Sequence, residues 1–301
     1  MQTIAESSAK TALLSALIDD ASLFPPATLE MQHALRAHVR NRESAYAHLQ
    51  GRFVIPASRL GEWRAHRDPA IPMRLGIIFD GALAGDLAAV AALMTQPSLT
   101  LDSIDVRAAG AVDLAPFAQE WDGAALSIWI EAPFEGGWVT PPQRTLAAVA
   151  DMRAAAPAHV QVGAKLRCGG PSANFFPTLD DLAAFIIAAQ SCGVPWKATA
   201  GLHHPIRHRR PQTNFPMHGF LNVACAALAR YADVTDDAGV RAILAEEDPR
   251  AFSLDPQHLQ CREWSIPCEA IVAGRVQAFT SYGSCSFFEP VDDLRRLGML
   301  A

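Results

Sequence analysis

Eight short apolar runs alternate with alanine-rich, helix-like stretches, and this rhythm constrains the fold more than any other feature of the chain. The runs are SALIDD (15–20), RFVIPA (52–57), RLGIIFD (74–80), SIDVR (103–107), LSIWIEA (126–132), VGAKLR (162–167), PWKATAG (195–201) and VQAFTS (276–281). Helix-like segments lie between them: TLEMQHALRAHV after the first, DLAAVAALM after the third, TLAAVADMRAA after the fifth and LDDLAAFIIAAQSCG after the sixth. The last of these follows Thr178 and has acidic residues in its first turn, an N-cap arrangement. Strand and helix in alternation, joined by right-handed crossovers, build a parallel sheet. Eight such units predict an α/β fold of the closed (β/α)8, or TIM-barrel, type. A doubly wound open sheet is the alternative.

One section breaks the rhythm. Roughly 70 residues from Leu202 to about Arg275 stand where one helix would suffice. MHGFLNVACAALARY reads as that helix, and VRAILAEEDPRAFSLDPQHLQCREW reads as a helical insertion, about 231–270, between strands 7 and 8. No repeat or linker divides the chain, so a single domain over 1–301 is expected. Half of the residues are apolar and 19% are charged, enough for a large core. The net charge of −6 argues against a nucleic-acid partner or an anionic membrane surface. No apolar stretch reaches the roughly 18 residues of a membrane span. The start, MQTIAESSAKTALLSALIDD, lacks a basic region and does not look like a secretion signal. Six scattered cysteines without a CxxC pair suggest reduced thiols in a cytoplasm.

In such barrels the chemistry sits at the C-terminal strand ends. Those ends carry Asp19 and Asp20, Asp80, Asp105 with Arg107, Glu131, Lys165 with Arg167, and Lys197 with Thr199. The lysines are telling, because the chain has 25 Lys+Arg but only Lys10, Lys165 and Lys197 among them are lysines. Arginine replaces lysine on a solvated surface but does not form a Schiff base. Lys165 and Lys197 stand about one βα unit apart, so they should come from neighbouring strands. Each would then lower the other's pKa, which gives the free amine that attack on a carbonyl requires. Asp19, Asp105 and Glu131 are candidates for proton transfer. As ordinary rim residues, all five would instead be ion-pair partners holding the barrel top together.

The order of these strand ends resembles 2-deoxyribose-5-phosphate aldolase and its class I aldolase relatives. LIDDASLFPPAT is similar to that family's opening Leu-Ile-Asp-His-Thr-Leu-Leu-x-Pro segment, RFVIPASRL to its second strand, LDSIDVR to its Asp/Glu-x-x-Asp-Val fourth strand and LSIWIEAPF to its Val-Ile-Ile-Glu-Thr fifth. VGAKLRCGG stands where the family has Lys-Thr-Ser-Thr-Gly, and WKATAG where it has Lys-Ala-Ser/Ala-Gly-Gly. The similarity spans residues 15 to 202. It implies that Lys165 is the Schiff-base lysine, that Lys197 depresses its pKa, that Asp105 is the acid/base and that Asp19 contacts substrate or relays protons. The reaction so implied makes or breaks a C–C bond through an iminium and an enamine, with no cofactor and no metal.

The departures from that pattern point to another substrate. Leu166-Arg167-Cys168 replaces Thr-Ser-Thr, setting a cation and a thiol beside the nucleophile. This favours a different anionic carbonyl compound, carboxylate- or phosphate-bearing, from deoxyribose 5-phosphate. Arg167, Arg107, His203, His204, Arg207, Gly169, Gly170, Gly201 and Ser284 are the expected substrate-binding residues. GGPSANFFP (169–177) is a phosphate cradle or a tight turn across the mouth, and Gly283, Ser284 and Ser286 a possible anion nest. A second reading makes His203, His204 or His208, with a strand-end carboxylate, the ligands of a metal-dependent hydrolase or lyase. A third is a non-catalytic barrel that binds a small anion or scaffolds a partner. A homodimer is the default expectation.

Overall fold

The computed structural model describes residues 8–94, 99–107, 114–121, 125–170, 172–210 and 214–301. Eight parallel strands close into a barrel. They are β1 (Ile18–Asp20), β2 (Gln50–Pro56), β3 (Met73–Ile78), β4 (Leu99–Arg107), β5 (Leu126–Glu131), β6 (Val160–Arg167), β7 (Trp196–Thr199) and, after the insertion, β13 (Phe279–Ser284), which closes the ring against β1. Each is followed by a helix on the outside: α2 (Met31–Arg42), α3 (Leu60–His66), α4 (Leu83–Met94), α5 (Ala115–Glu120), α6 (Pro142–Ala155), α7 (Leu179–Ser191), α8 (Phe220–Tyr231) and α11 (Phe288–Arg296). A short α1 (Ala9–Leu14) precedes β1. This is a (β/α)8 TIM barrel, as the alternation predicts, and the open sheet is excluded by closure.

Local sequence explains the elements that place the site. In β5 every residue up to Ile130 is buried, as a strand covered on both faces requires. Thr178 caps α7: its hydroxyl accepts from the Asp181 backbone N–H at 3.1 Å, while Asp181 Oδ2 accepts from the Thr178 N–H at 3.0 Å. Leu182, Phe185, Ile186 and Ala189 form the buried stripe of that helix. The Phe185 ring meets the Trp196 ring edge-on at 5.2 Å and so fixes the start of β7, one residue before Lys197.

Two expectations need correction. The eighth barrel strand is 279–284, not 276–281, because Val276 and Gln277 finish helix α10 (Cys268–Gln277). The insertion is also only partly helical. After α9 (Asp237–Ala245), residues 252–267 form an antiparallel meander of β10 (Phe252–Leu254), β11 (His258–Cys261) and β12 (Trp264–Pro267). Asp255 accepts from the Gln257 and His258 backbone N–H groups, and Arg262 takes a positive φ of 49°, so both turns are tight. The loop after β7 holds a two-residue hairpin of β8 (His208–Arg209) and β9 (Pro216–Met217). Among the described residues no helix is long and apolar enough to cross a membrane.

Candidate active site

Register gathers the sequence-predicted residues. Glu131 on β5 is the direct neighbour of Lys165 on β6, and Lys165 that of Lys197 on β7. Side chains two apart on a strand share a face, so Arg167 rises above Lys165 on the same inner wall. Both lysines are almost fully buried, at 3% and 2% exposure. Room for them is made lower in the barrel, where Gly163 lets the Trp129 indole fill the interior. A Cβ on Gly163 would lie 2.4 Å from the Trp129 ring and 2.5 Å from the Pro195 carbonyl.

The interior charges alternate in sign along one unbroken ladder. Lys165 Nζ lies 2.9 Å from Glu131 Oε2 and 3.2 Å from Asp105 Oδ2. The same Asp105 oxygen lies 3.5 Å from Lys197 Nζ, which is 3.0 Å from Asp19 Oδ2. At the upper end, Arg167 Nε donates to Glu131 Oε1 at 3.2 Å. At the lower end, Asp19 Oδ1 pairs with Arg52 Nη1 at 3.4 Å, Arg52 with Asp102 at 2.5 Å, and Asp102 with Arg74 at 2.8 Å. The order Arg74–Asp102–Arg52–Asp19–Lys197–Asp105–Lys165–Glu131–Arg167 runs from the bottom of the barrel to its mouth. Asp19 also accepts from the Arg52 backbone N–H (3.1 Å) and the Ser281 hydroxyl (3.0 Å).

This arrangement reverses one expectation. The Lys165 pKa is raised, not lowered. Burial opposes its charge, but Asp105 and Glu131 outweigh burial. Burial likewise works against the Asp19 carboxylate, yet Lys197 and Arg52 prevail and hold it down to about 2. Lys165 and Arg167 do the same for Glu131, also about 2. Asp105 Oδ1 is buried and has no hydrogen-bond partner among the described residues, so this carboxylate retains an acceptor for a proton.

The remaining candidates divide. Arg167 is about one-third exposed at the mouth, with its guanidinium over the Phe175 ring at 6.0 Å. Arg107 ends β4 and is exposed. Gly169 and Gly201 serve close backbone contact: a Cβ on Gly169 would lie 2.6 Å from the Gly201 Cα, and Gly201 has φ +73°. Gly170 packs against the Phe175 ring. Gly169 and Gly201 therefore let the loops after β6 and β7 cross, the tight-turn reading. The Ser284 hydroxyl donates to the Ser286 carbonyl and accepts from the Ser286 N–H, so the Ser286 N–H is already engaged within the loop. Pro171 and residues 211–213 of these loops lie outside the described residues.

The histidines do not join the lysines. His203 pairs with Glu289 at 2.9 Å and His204 with Asp293 at 2.6 Å, both on α11. His208 stacks edge-on against His204, and Arg207 reaches Glu247 at 3.4 Å. His218 Nε2–H donates to the Pro177 carbonyl at 2.7 Å and its Nδ1 accepts from Arg207 Nη1 at 3.4 Å, and burial pushes its pKa down to about 4. Among the described residues no three of His, Cys, Asp or Glu gather as metal ligands. Burial pushes the Cys168 thiol up to about 12, so it is a poor nucleophile near neutrality. Asp20 faces outward to His38 (2.9 Å), and Asp80 braces Ser58.

Sequence reading missed Arg52, Asp102, Arg74 and Ser281. Arg52 was visible at a strand start, and Asp102 inside a quoted motif. Asp102, however, joins the ladder through a register shift: Leu75 pairs with Leu101 but Gly76 with Ser103, leaving Asp102 as the extra residue. Comparison with known proteins adds no relative: no family model, no curated protein and no solved structure matches the chain.

Proposed function

We propose that this barrel is a Schiff-base-forming, class I aldolase-like lyase that makes or breaks a C–C bond in a small anionic carbonyl compound. The observation that carries the reading is a single carboxylate oxygen, Asp105 Oδ2, within 3.5 Å of two buried lysine amines at the C-terminal end of a parallel barrel. Lys165 is the nucleophile and Asp105 the acid/base. Lys197 with Asp19 fixes the charge balance around them. Arg167, which offers guanidinium nitrogens beyond the one bound to Glu131, receives the carboxylate or phosphate of the substrate.

A resting ammonium at Lys165 is consistent with this chemistry. Asp105 takes one ammonium proton, the free amine adds to the carbonyl carbon, and a second nitrogen proton passes to the carbonyl oxygen to give a neutral carbinolamine. The proton on Asp105 then goes to the departing hydroxyl. Carbonyl plus ammonium thus yields iminium plus water, with no net proton gained or lost. The iminium inherits the positive charge that Asp105 and Glu131 already solvate, so little reorganisation is needed. Asp105 is then free to take the substrate's α-proton or to return it.

The test is borohydride trapping with a panel of small aldehydes and 2-keto acids, followed by peptide mass spectrometry. A reduced adduct on Lys165 that disappears in Lys165→Arg is expected. An adduct on Lys197 instead would keep the reaction class and exchange the two lysines. No adduct on either lysine across the panel would overturn the proposal.

A further inference from the structure

One layer above the lysines, the barrel mouth differs from side to side. Side chains two apart on a strand share a face, so Arg167 and Thr199 stand above Lys165 and Lys197, and the two are direct neighbours across β6 and β7. Thr199 in turn neighbours Gly283 on β13, which faces inward like Ser281, two residues before it. A Cβ on Gly283 would lie 3.5 Å from Thr199 Oγ1 and 3.8 Å from the Ala21 Cβ, just past β1. Thr199, Gly283 and Ala21 thus form one continuous wall of small side chains.

Charge divides along the same line. Arg107 on β4 and Arg167 on β6 flank Glu131 on β5. On the small wall, residues 199–201, 283–286 and 20–23 include no lysine or arginine, and their one charged residue is Asp20. His203, farther along, is already paired with Glu289. Thr199 is partly buried, and among the described residues its hydroxyl has no hydrogen-bond partner. That hydroxyl is therefore free to donate and to accept, two residues above Lys197.

Aldol chemistry fixes what such a hydroxyl meets. Cleavage through an enamine requires a hydroxyl on the carbon β to the iminium carbon. In the reverse direction, that oxygen is the carbonyl oxygen of an acceptor aldehyde. Resting on the lyase reading above, we propose that the anionic group belongs to the donor and that the acceptor is a small uncharged aldehyde. The donor is then a 2-keto acid, and the product a 4-hydroxy-2-keto acid. The donor carboxylate takes the guanidinium nitrogens of Arg167 that Glu131 leaves free. The acceptor lies against Thr199, Gly283 and Ala21, and Thr199 Oγ1–H donates to its oxygen, where negative charge develops. Asp105 takes a proton from C3 of the Lys165 iminium, and the electron pair of that C–H bond forms the enamine. The enamine carbon bonds to the aldehyde carbon, and the alkoxide so formed takes the proton back from Asp105. Water then releases the product from Lys165. One keto acid and one aldehyde give one 4-hydroxy-2-keto acid, with no oxidant or reductant.

Pyruvate is the donor probe for the whole protein; acetaldehyde, glyceraldehyde and glyceraldehyde 3-phosphate are the acceptor probes, with product read by mass spectrometry. Borohydride should trap pyruvate on Lys165. Pyruvate should add to acetaldehyde and to glyceraldehyde, and the phosphorylated aldehyde should be no better than glyceraldehyde. Thr199→Val keeps the side-chain volume and should lower kcat/KM for the aldehyde about tenfold, the scale of one lost hydrogen bond to a charged group. The loss should appear with the aldehyde and not in pyruvate trapping. Thr199→Ser restores the hydroxyl and should recover most of the rate. Gly283→Val fills the small wall and should slow glyceraldehyde more than acetaldehyde. Circular dichroism checks the fold of each variant. A tenfold preference for the phosphorylated aldehyde, a Thr199→Val rate within twofold of the parent, or a loss that falls equally on pyruvate trapping would overturn the inference. Aldehydes trapped on Lys165 but never pyruvate would overturn it and leave the lyase reading standing. No adduct with any carbonyl compound would overturn both.

Discussion

Asp105→Asn is the sharpest perturbation of the ladder. It keeps the side-chain volume and removes the one charge that, among the described residues, touches both lysines. Asp105 Oδ2 lies 3.2 Å from Lys165 Nζ and 3.5 Å from Lys197 Nζ. At an effective dielectric constant of about 20, each such pair is worth about 5 kcal/mol of Coulomb attraction. Two terms offset that gross loss. Asparagine no longer carries the desolvation penalty of a buried carboxylate, which is several kcal/mol. Lys165 also keeps Glu131 and Lys197 keeps Asp19. The net loss should then match that for removing one member of a buried ion pair, about 3–5 kcal/mol. Urea unfolding at pH 7 measures it, with tryptophan fluorescence as the probe, since Trp129 fills the barrel interior. Adding Lys197→Met removes one of the stranded ammonium groups. The double variant should be more stable than the sum of the two single losses predicts, by about 1–2 kcal/mol. A loss under about 1 kcal/mol for Asp105→Asn, or strict additivity, would refute the coupling of the two lysines through this carboxylate.

Stability should form a plateau in pH. Asp19 and Glu131 are held at about 2, below their ordinary 3.8 and 4.5, so their contribution is full above those values and is lost as pH falls toward 2. The loss should be about 2–3 kcal/mol per carboxylate, and a flat urea midpoint between pH 5 and pH 3 would contradict it. Lys165 is raised above its ordinary 10.5, so its contribution is full below that value and lost only as pH rises beyond it. Gly163→Ala forces a Cβ to 2.4 Å from the Trp129 ring and should cost about 2–3 kcal/mol. A thermal shift within 1 °C of the parent would show that the interior yields.

The fold was largely legible because a period-2 strand and a period-3.6 helix leave different marks, and eight alternations leave few topologies. The juxtaposition of Lys165 and Lys197 was legible for the same reason: consecutive parallel strands place similar positions side by side. What escaped was non-periodic. VQAF continues α10 before it turns into β13, and its apolar residues suit either element. The meander at 252–267 depends on turns set by Asp255 and Arg262, which carry no hydrophobic period. Asp102 enters the ladder only through a bulge, and a strict alternation assigns it to the wrong face. The sign of the Lys165 shift escaped because spacing reveals a second lysine but not the carboxylate oxygen between the two.

The ladder itself is an argument about function. Barrels of this type are ordinarily filled by layers of branched aliphatic side chains, and replacing a buried ion pair by well-packed apolar residues is often neutral or stabilising. Stability alone therefore gives no reason to bury Lys165, Asp105, Lys197 and Asp19 at 3% exposure or less. In the proposed reaction they would serve to move one proton without moving the surroundings. On that reading, when Asp105 takes a proton from Lys165 the pair stays flanked by Glu131 on one side and Lys197 with Asp19 on the other, the two outer carboxylates already fixed by Arg167, Arg52 and Ser281. A preorganised set of this kind would stabilise both the ammonium and the iminium of the proposed reaction, because the positive charge remains on the same nitrogen. An aliphatic interior would be more economical for folding but could do neither.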